Sequence, residues 1–326
     1  CDMVMLGRPL LADPQWPNKA YAGKVEEILP CIGCQEGCLN EFVEGGHPQC
    51  AVNPRTAFEH IYPDVPPKAE KPRTIGVIGA GPAGVITAVT AARRGHRVRL
   101  VKKSGRIGGR LIPGSVPKIK FDVDNYRRYL ENLVKRTGEE YDLEFVAGVT
   151  ADADWLMEQR FDAVVFAIGS TDTKLPLPGA AEAPIVQATE LLVKPELAAG
   201  AKNVVVVGAG VVGCETAYWL KYELEKEVKV VEMTPFIMNH VCTANRGHLI
   251  HYLQKAGVEL LTSLVSALPT IIERIVAVIP MIIDGVLGAI ISAIPLLIDA
   301  GIKLLTSLVA ALPDIIQAIG EVIPVI

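Results

Sequence analysis

The sequence has no excess of positive charge, and after residue 256 it has no aromatic residue, histidine or cysteine. The formal net charge of −4 argues against nucleic acid as a partner, because nucleic-acid-binding proteins present basic surfaces. The longest uncharged run of the C-terminal region, residues 285–298, has 14 residues. A membrane-spanning helix needs roughly 18. Membrane association is therefore possible but not favoured, and nothing indicates an oligomeric state.

Features of a secreted protein are missing as well. Four of the seven cysteines lie within twenty residues, too close together for a secreted disulfide framework, and no signal peptide precedes them. We expect a reducing, cytoplasmic environment. The chain opens on Cys1 instead of methionine, and residues 4–6 form a short apolar run typical of a buried strand. A native chain seldom begins inside a strand, so we expect residue 1 to be a truncation point.

The clustered cysteines are candidate metal ligands. Cys31, Cys34 and Cys38 lie close together and Cys50 follows after eleven residues. Four thiolates in compact loops suit an iron–sulfur cluster or zinc. Structural zinc sites usually pair two Cys-x-x-Cys turns, so this spacing favours a [4Fe–4S] cluster. The alternative is a metal that only fastens a loop.

A glycine-rich loop follows about thirty residues later. Gly79 and Gly81 follow a predicted strand at 74–78, and Pro82, Ala83 and Gly84 open a predicted helix at 82–94. In a dinucleotide site the first glycine makes the turn, the second lets backbone approach a pyrophosphate, and the third allows close packing of helix and strand. The phosphate then lies at the helix N-terminus. A tight turn without a ligand is the alternative.

The strand that follows this loop ends on an unexpected residue. Dinucleotide sites usually place an acid there, which accepts hydrogen bonds from the ribose hydroxyls. The predicted strand 97–101 runs instead into Lys102, whose ammonium group has no acceptor to offer. Either nucleotide affinity is weakened, or a phosphorylated ribose is tolerated.

A second, complete unit lies at 203–232. Gly208, Gly210 and Gly213 form the loop, and Glu232 closes the second strand. A carboxylate at that place favours NAD over NADP, because it repels a 2′-phosphate. A solvated strand end is the alternative reading of Glu232.

Other side chains carry weaker signals. Gly7 and Arg8 follow the apolar run at 4–6, where a backbone amide and a guanidinium suit a phosphate, although an Arg-Pro turn is common. The six histidines show no paired ligand spacing and no triad. Cys214 and Cys242 are expected to be inert packing thiols.

Two βαβ units predict an α/β fold with Rossmann-like parallel sheets flanked by helices. The composition then changes near residue 256, and only eight of the last 69 residues are charged. Residues 256–280 and 300–324 align at an offset of 44, with 17 of 25 positions identical. Prolines 269, 280, 295, 313 and 324 interrupt the apolar helical spacing. We expect an all-α region of short apolar helices in a repeat array.

Taken together, these motifs over residues 1–257 resemble the NADH:flavin oxidoreductases of the 2,4-dienoyl-CoA reductase and trimethylamine dehydrogenase group. Residues 3–14 look like the last strand of an FMN-binding TIM barrel with its phosphate loop at Gly7 and Arg8. The cysteines look like the iron–sulfur segment. The first glycine loop, together with Gly108, Gly109, Arg110 and Gly169, looks like the FAD-binding half.

The resemblance implies FAD, NAD(H) and [4Fe–4S] as cofactors, with FMN in the full-length family. It implies electron transfer from NADH through FAD and the cluster to FMN and an enoyl-type substrate. The corresponding divisions are a barrel remnant at 1–30, the iron–sulfur segment and linker at 31–72, the FAD half at 73–174 and the NAD(H) domain at 175–257. By this resemblance, we expect most of the barrel and the last part of the FAD domain to be missing, which leaves activity uncertain.

The helical region, 258–326, resembles the C-terminal repeats of phage tail tape-measure proteins, which implies a chimera of two genes. Two alternatives to the oxidoreductase follow from it. The repeats would mediate assembly as a structural protein, or they would associate with membranes, with the nucleotide-binding region vestigial in either case.

Overall fold

Two parallel sheets carry the two glycine-rich loops. The computed structural model describes residues 2–174, 176 and 183–322, without the side chains of 263–271, 273–275 and 319–322. The first sheet has the order β3-β2-β1-β4 and the second the order β5-β6-β7, and every pair of neighbours is parallel. The strands are β1 (Thr74–Ile78), β2 (Arg97–Lys102), β3 (Leu143–Ala147), β4 (Ala163–Phe166), β5 (Asn203–Val207), β6 (Glu227–Glu232) and β7 (Glu259–Thr262).

Helices connect these strands and pack on the sheets. They are α1 (Arg8–Ala12), α2 (Trp16–Tyr21), α3 (Glu41–Val43), α4 (Pro82–Arg93), α5 (Leu111–Gly114), α6 (Phe121–Glu140), α7 (Ala153–Gln159), α8 (Ala188–Val193), α9 (Val211–Tyr222), α10 (Thr243–Ala256) and α11 (Ser263–Val322). Short 3₁₀ turns occur at Val25–Glu27, Lys118–Lys120 and Pro195–Ala198, and a π-helical turn at Glu36–Asn40. The predicted α/β fold with Rossmann-type units and a helical C-terminal region is confirmed.

Each sheet has its own apolar core. In the first, Val77 of β1, Leu100 of β2 and Leu130 of α6 are completely shielded from solvent. In the second, Leu220 of α9 and Leu253 of α10 are equally buried. Parallel strands covered by helices are rich in Val and Ile over most of their length, and the predicted strands at 74–78 and 204–207 show this pattern.

The strand predicted at residues 4–6 does not form. These residues precede α1 without strand pairing, and Met3, Val4 and Met5 are exposed. A strand needs a neighbouring strand to take its backbone hydrogen bonds. Among the residues that the structure describes, none pairs with this segment.

The chain divides into two compact bodies, Cys1–Thr262 and Ser263–Ile326. The second body consists, in its described part, of one continuous helix, α11, which passes through prolines 269, 280, 295 and 313. The prediction of several short helices was therefore wrong. A proline removes one hydrogen bond and bends a helix, but the turns on either side remain able to form. Pro324 lies outside the described residues.

The start of this helix also differs from the expected boundary at 258. Residues Glu259–Thr262 pair with β6 as the third strand of the second sheet, and α11 begins directly after them. Within α11, Val276–Ala318 is long and apolar enough to cross a membrane, judged by length and composition. This helix passes that test although its longest uncharged run has 14 residues, since the test tolerates an occasional charge such as Asp284 or Asp299.

Candidate nucleotide-binding and metal sites

The two glycine loops are held by equivalent hydrogen bonds. Gly79 N donates to Val101 O over 2.8 Å, and Gly208 N donates to Val231 O over the same distance. The residue after each acceptor ends its strand. Lys102 of the first unit therefore occupies the place that Glu232 occupies in the second.

A second pair of hydrogen bonds extends this equivalence. Gly108 N donates to Ala80 O, and Met238 N donates to Ala209 O, each over 2.8 Å. In both units a loop after the second strand is thereby fastened to the glycine loop. The first such loop runs through Gly109, which has a left-handed backbone with φ of +55°.

The third glycine of each loop is required by close packing. A Cβ on Gly84 would collide with Gly79 O, and one on Gly213 would collide with Gly208 O. The second glycine of the first loop, Gly81, faces open space. A Cβ added to it would lie 4.0 Å from its nearest neighbour, Gly109 Cα. Backbone N–H groups at the start of α4 are thus accessible to an anion.

An open cleft of about 430 Å³ lies in front of the first loop. Five predicted site residues line it: Gly81, Lys102, Gly109, Arg110 and Gly169. Gly79, Pro82, Ala83, Gly84 and Gly108 shape the loops behind it. Sequence reasoning missed the opposite wall, which α8 and the following residue provide through Thr189, Glu190, Val193 and Lys194.

Charges in this cleft are mostly paired. Arg110 contacts Asp172, with 3.0 Å between Nη1 and Oδ1, and donates to Ser170 O over 2.7 Å. Lys194 contacts Glu190 at 3.0 Å. Hydrogen bonds from Thr189 and then Arg110 lower the pKa of Asp172. Among the residues that the structure describes, no carboxylate pairs with Lys102.

In the second unit Glu232 is turned towards its own loop. Its Oε2 accepts from Ala209 N, and its Oε1 accepts from Thr234 N, both over 2.8 Å. These backbone hydrogen bonds lower the pKa of the carboxyl group. The carboxylate therefore stabilises the Gly208–Gly210 turn in addition to marking the end of the strand.

The four clustered cysteines line one small cavity. Cys31, Cys34, Cys38 and Cys50 surround it together with Arg8, Leu11, Ile32, Gln35, Gln49, Ala51 and Val52. Burial, reinforced by the charges of the neighbouring thiols, raises the pKa of Cys34 and Cys50. Gly33 and Gln35 have left-handed backbones that turn the chain around this cavity. The structure thus brings all four predicted ligands together.

The cysteine loop also contacts the start of α10, which the sequence did not indicate. Cys242 N donates to Glu36 Oε1 over 3.2 Å, and Gln35 Nε2 donates to Asn245 Oδ1 over 3.3 Å. Asn245 Nδ2 donates in turn to Cys34 O. The N-terminus of α10 is therefore fastened to the backbone of a predicted metal ligand.

The remaining predicted residues lie apart from the cleft. Gly7 caps α1, and Arg8 lines the cysteine cavity, so the hypothesis of a phosphate at this pair stays untested. Cys214 and Cys242 are buried, and burial raises the pKa of the Cys214 thiol to about 12. A thiol held protonated in this way is an inert packing group at neutral pH.

Paired parallel sheets with glycine-rich loops define a dinucleotide-binding oxidoreductase fold. The chain belongs to the pyridine nucleotide-disulphide oxidoreductase family, whose profile matches residues 73–267. This family implies binding of FAD and a pyridine nucleotide. The match continues beyond β7, which agrees with the pairing of that strand in the second sheet.

The chain is similar to parts of larger reductases and of an oxidase. The chain is 37% identical to a cinnamate reductase of Clostridium sporogenes, over 78% of this chain and 37% of the relative. It is 35% identical to an NADH oxidase of Thermoanaerobacter brockii, over 79% of this chain and 39% of the relative. A 2-naphthoyl-CoA reductase structure matches with a TM-score of 0.73 and 27% identity, over 78% of this chain and 38% of that one. The chain therefore spans about two fifths of the proteins it matches.

Proposed function

We propose that residues 1–262 are the electron-input part of a cytoplasmic, flavin- and iron–sulfur-dependent NADH oxidoreductase. FAD would occupy the first glycine loop, NAD(H) the second, and a [4Fe–4S] cluster the cysteine cavity. When bound, these groups would carry electrons from NADH towards an FMN and an enoyl-type substrate in the remainder of the enzyme. Four cysteines that line one cavity in a chain with two dinucleotide units are the observation that carries the proposal.

The donor set fits a cluster better than a single ion. Four thiols around one cavity supply the Cys₄ ligation of a [4Fe–4S] cluster. Within the described residues, no three His, Cys, Asp or Glu side chains converge on one ion position. A structural zinc needs all four sulfurs about 2.3 Å from its centre. The cysteine spacing, which lacks the second Cys-x-x-Cys turn usual for structural zinc, supports the cluster.

The protein's own groups prepare this site. The raised pKa of Cys34 and Cys50 keeps these thiols protonated until a metal displaces the protons. Gly33 N donates to Cys31 Sγ over 3.4 Å, a contact of the type that tunes cluster potentials. Asn245 fixes the carbonyl of Cys34 and thereby the orientation of this ligand.

The two loops would bind their nucleotides through backbone. Gly81 leaves room for a pyrophosphate at the N-terminus of α4, and Gly210 leaves the equivalent room at α9, because a Cβ there would meet nothing within 4 Å. Glu232 would disfavour a 2′-phosphate by repulsion, which supports NAD(H) in the second loop. The enoyl-type substrate rests on the family resemblance and on the cinnamate reductase among the relatives.

Anaerobic purification of the full chain, with assays of iron, acid-labile sulfide and flavin, tests this function. We expect a brown protein containing iron, sulfide and FAD. Cys34→Ser should remove the visible cluster absorbance and most of the iron. Cys214→Ser, a buried cysteine outside the cavity, should retain both. A colourless wild type without iron or flavin would refute the proposal.

The exposed apolar helix supports a second candidate function, association with a membrane through α11. Side chains such as Ile290, Leu297 and Leu304 are more than half exposed. An exposed apolar surface of this size marks an interaction site. Flotation of an iron-free, flavin-free protein with lipid vesicles would favour this candidate.

The chimera hypothesis is tested separately by one uninterrupted DNA read across codons 240–280. An intact gene in several isolates would refute an assembly error.

A further inference from the structure

The first nucleotide unit has a cation where its counterpart in the same chain has a carboxylate. Lys102 and Glu232 are equivalent because each follows the residue that accepts the hydrogen bond of the first loop glycine, Val101 or Val231. At this place a dinucleotide site selects what the adenosine ribose carries, since a carboxylate accepts from the diol and a cation binds a phosphate.

Lys102 lies at the cleft and is available to a ligand. It lines the 430 Å³ cavity together with Gly81 and Gly109, the two glycines that leave room for a pyrophosphate. The other cations of the cleft are engaged, Arg110 with Asp172 and Lys194 with Glu190. Within the described part of the chain, the ammonium group of Lys102 has no carboxylate partner, so the ribose end of the cleft carries an uncompensated positive charge.

We propose that the first unit binds adenine nucleotides whose ribose carries an additional phosphate more tightly than those with a free diol. This inference rests on the proposed role of the unit as a dinucleotide site and narrows its ligand. The shared chemistry is an adenosine ribose phosphate, which occurs on the 2′-hydroxyl or the 3′-hydroxyl in different cofactors. FAD, whose adenosine ribose carries no such phosphate, would be held less firmly than in a site with an acid at this position.

The test is equilibrium binding by calorimetry to the full chain from which the copurified FAD has been removed, with 5′-ADP, adenosine 2′,5′-bisphosphate and adenosine 3′,5′-bisphosphate as probes. The wild type should bind at least one bisphosphate roughly tenfold more tightly than 5′-ADP, the effect of one charge-assisted contact. Lys102→Glu should reverse this preference and raise the amount of FAD that copurifies. Lys102→Met, without charge, should abolish the preference.

Lys103→Glu is the matched control. Lys103 is exposed and does not line the cleft, so this variant has the same change in net charge but should keep the wild-type preference. The second unit contributes the same background in every variant, because Glu232 is unchanged. Binding of 5′-ADP with no preference for a bisphosphate would overturn the inference and leave the proposed function standing. Failure of all three nucleotides to bind would refute both.

Discussion

The two nucleotide units have the same loop geometry but different surroundings. Equivalent hydrogen bonds hold Gly79 and Gly208, and equivalent backbone contacts require Gly84 and Gly213. The first loop lies beneath β4, whose continuation brings Ala167 O against Gly79. In the second sheet β5 is an edge strand among the described residues, and nothing lies within 4 Å of a Cβ on Gly208.

This difference separates two requirements that a glycine loop usually combines. The backbone turn is needed in both units, since φ is +111° at Gly79 and +101° at Gly208. The additional requirement for empty space arises only where a neighbouring strand covers the loop. The first glycine of the loop is therefore expected to contribute more to the stability of the first unit than to that of the second.

The largest effect that tests this comparison is expected from alanine at the first loop glycine. Gly79→Ala should lower the free energy of unfolding by about 3–5 kcal/mol, because backbone strain and a collision with Ala167 O add together. Gly208→Ala should cost about 1–2 kcal/mol, because strain acts there alone. Urea denaturation of both variants measures the difference.

Three further alanine variants serve as controls. Gly84→Ala and Gly213→Ala should be about equally damaging, since each Cβ collides with the carbonyl of its own loop. Gly210→Ala should hardly change stability, because its Cβ enters open space. Equal costs for Gly79→Ala and Gly208→Ala would show that β4 does not press on the first loop.

A smaller effect is expected at the strand ends, where the units differ in charge. Glu232→Gln should cost about 1–2 kcal/mol at pH 7, because an amide cannot replace both accepting oxygens of the carboxylate. The folded pKa of Glu232 lies below its ordinary value of 4.5. The ionised carboxylate of Glu232 therefore stabilises the folded state fully above the ordinary pKa of 4.5. This contribution is lost as the pH falls through the folded pKa.

The measurement is the difference in unfolding free energy between wild type and Glu232→Gln from pH 7 to about pH 3, which should shrink on acidification. Lys102→Gln is the control from the first unit. No carboxylate titrates at that position, so its difference from wild type should stay level over the same range. A pH-independent difference for Glu232→Gln would contradict the hydrogen-bonded role of the carboxylate.

The glycine loops and most strands could be predicted because their signals are local. A Gly-x-Gly-x-x-Gly run between an apolar strand and a helix needs no distant partner to be recognised, and the cysteine cavity followed from spacing alone. The wall that α8 provides, and the contact of Asn245 with Cys34, join residues far apart in the chain. No local sequence pattern predicts contacts between residues so far apart in the chain.

The internal repeat shows how context decides between strand and helix. Leu260, Leu261 and Thr262 form β7, whereas the identical residues Leu304, Leu305 and Thr306 lie within α11. The first copy follows Gly257, which ends α10 with φ of +72°, and it finds β6 beside it. The second copy has no strand partner among the described residues. Packing overrides intrinsic propensity here, which is why the predicted boundary at 258 fell inside a sheet.

The smallest expected effect concerns two equivalent cross-strand ion pairs, one in each sheet. Arg99 Nε and Glu144 Oε2 lie 2.9 Å apart across β2 and β3, and Lys229 Nζ and Glu259 Oε2 lie 2.9 Å apart across β6 and β7. The side chain of Arg99 is 32% exposed against 57% for Lys229. Arg99 Nη1 also donates to Gln159 Oε1 over 2.7 Å, which limits its freedom.

Double-mutant cycles with alanine should therefore give a coupling of about 0.5–1 kcal/mol for the Arg99 pair and about 0.2–0.4 kcal/mol for the Lys229 pair. Both couplings should decline in 1 M salt, where screening acts over about 3 Å, and the more exposed Lys229 pair should decline by the larger fraction. Equal couplings in the two sheets would mean that burial by the neighbouring helix α7, which supplies Gln159, contributes nothing. In that case the covered first unit would differ from the open second unit at its loop but not along its strands.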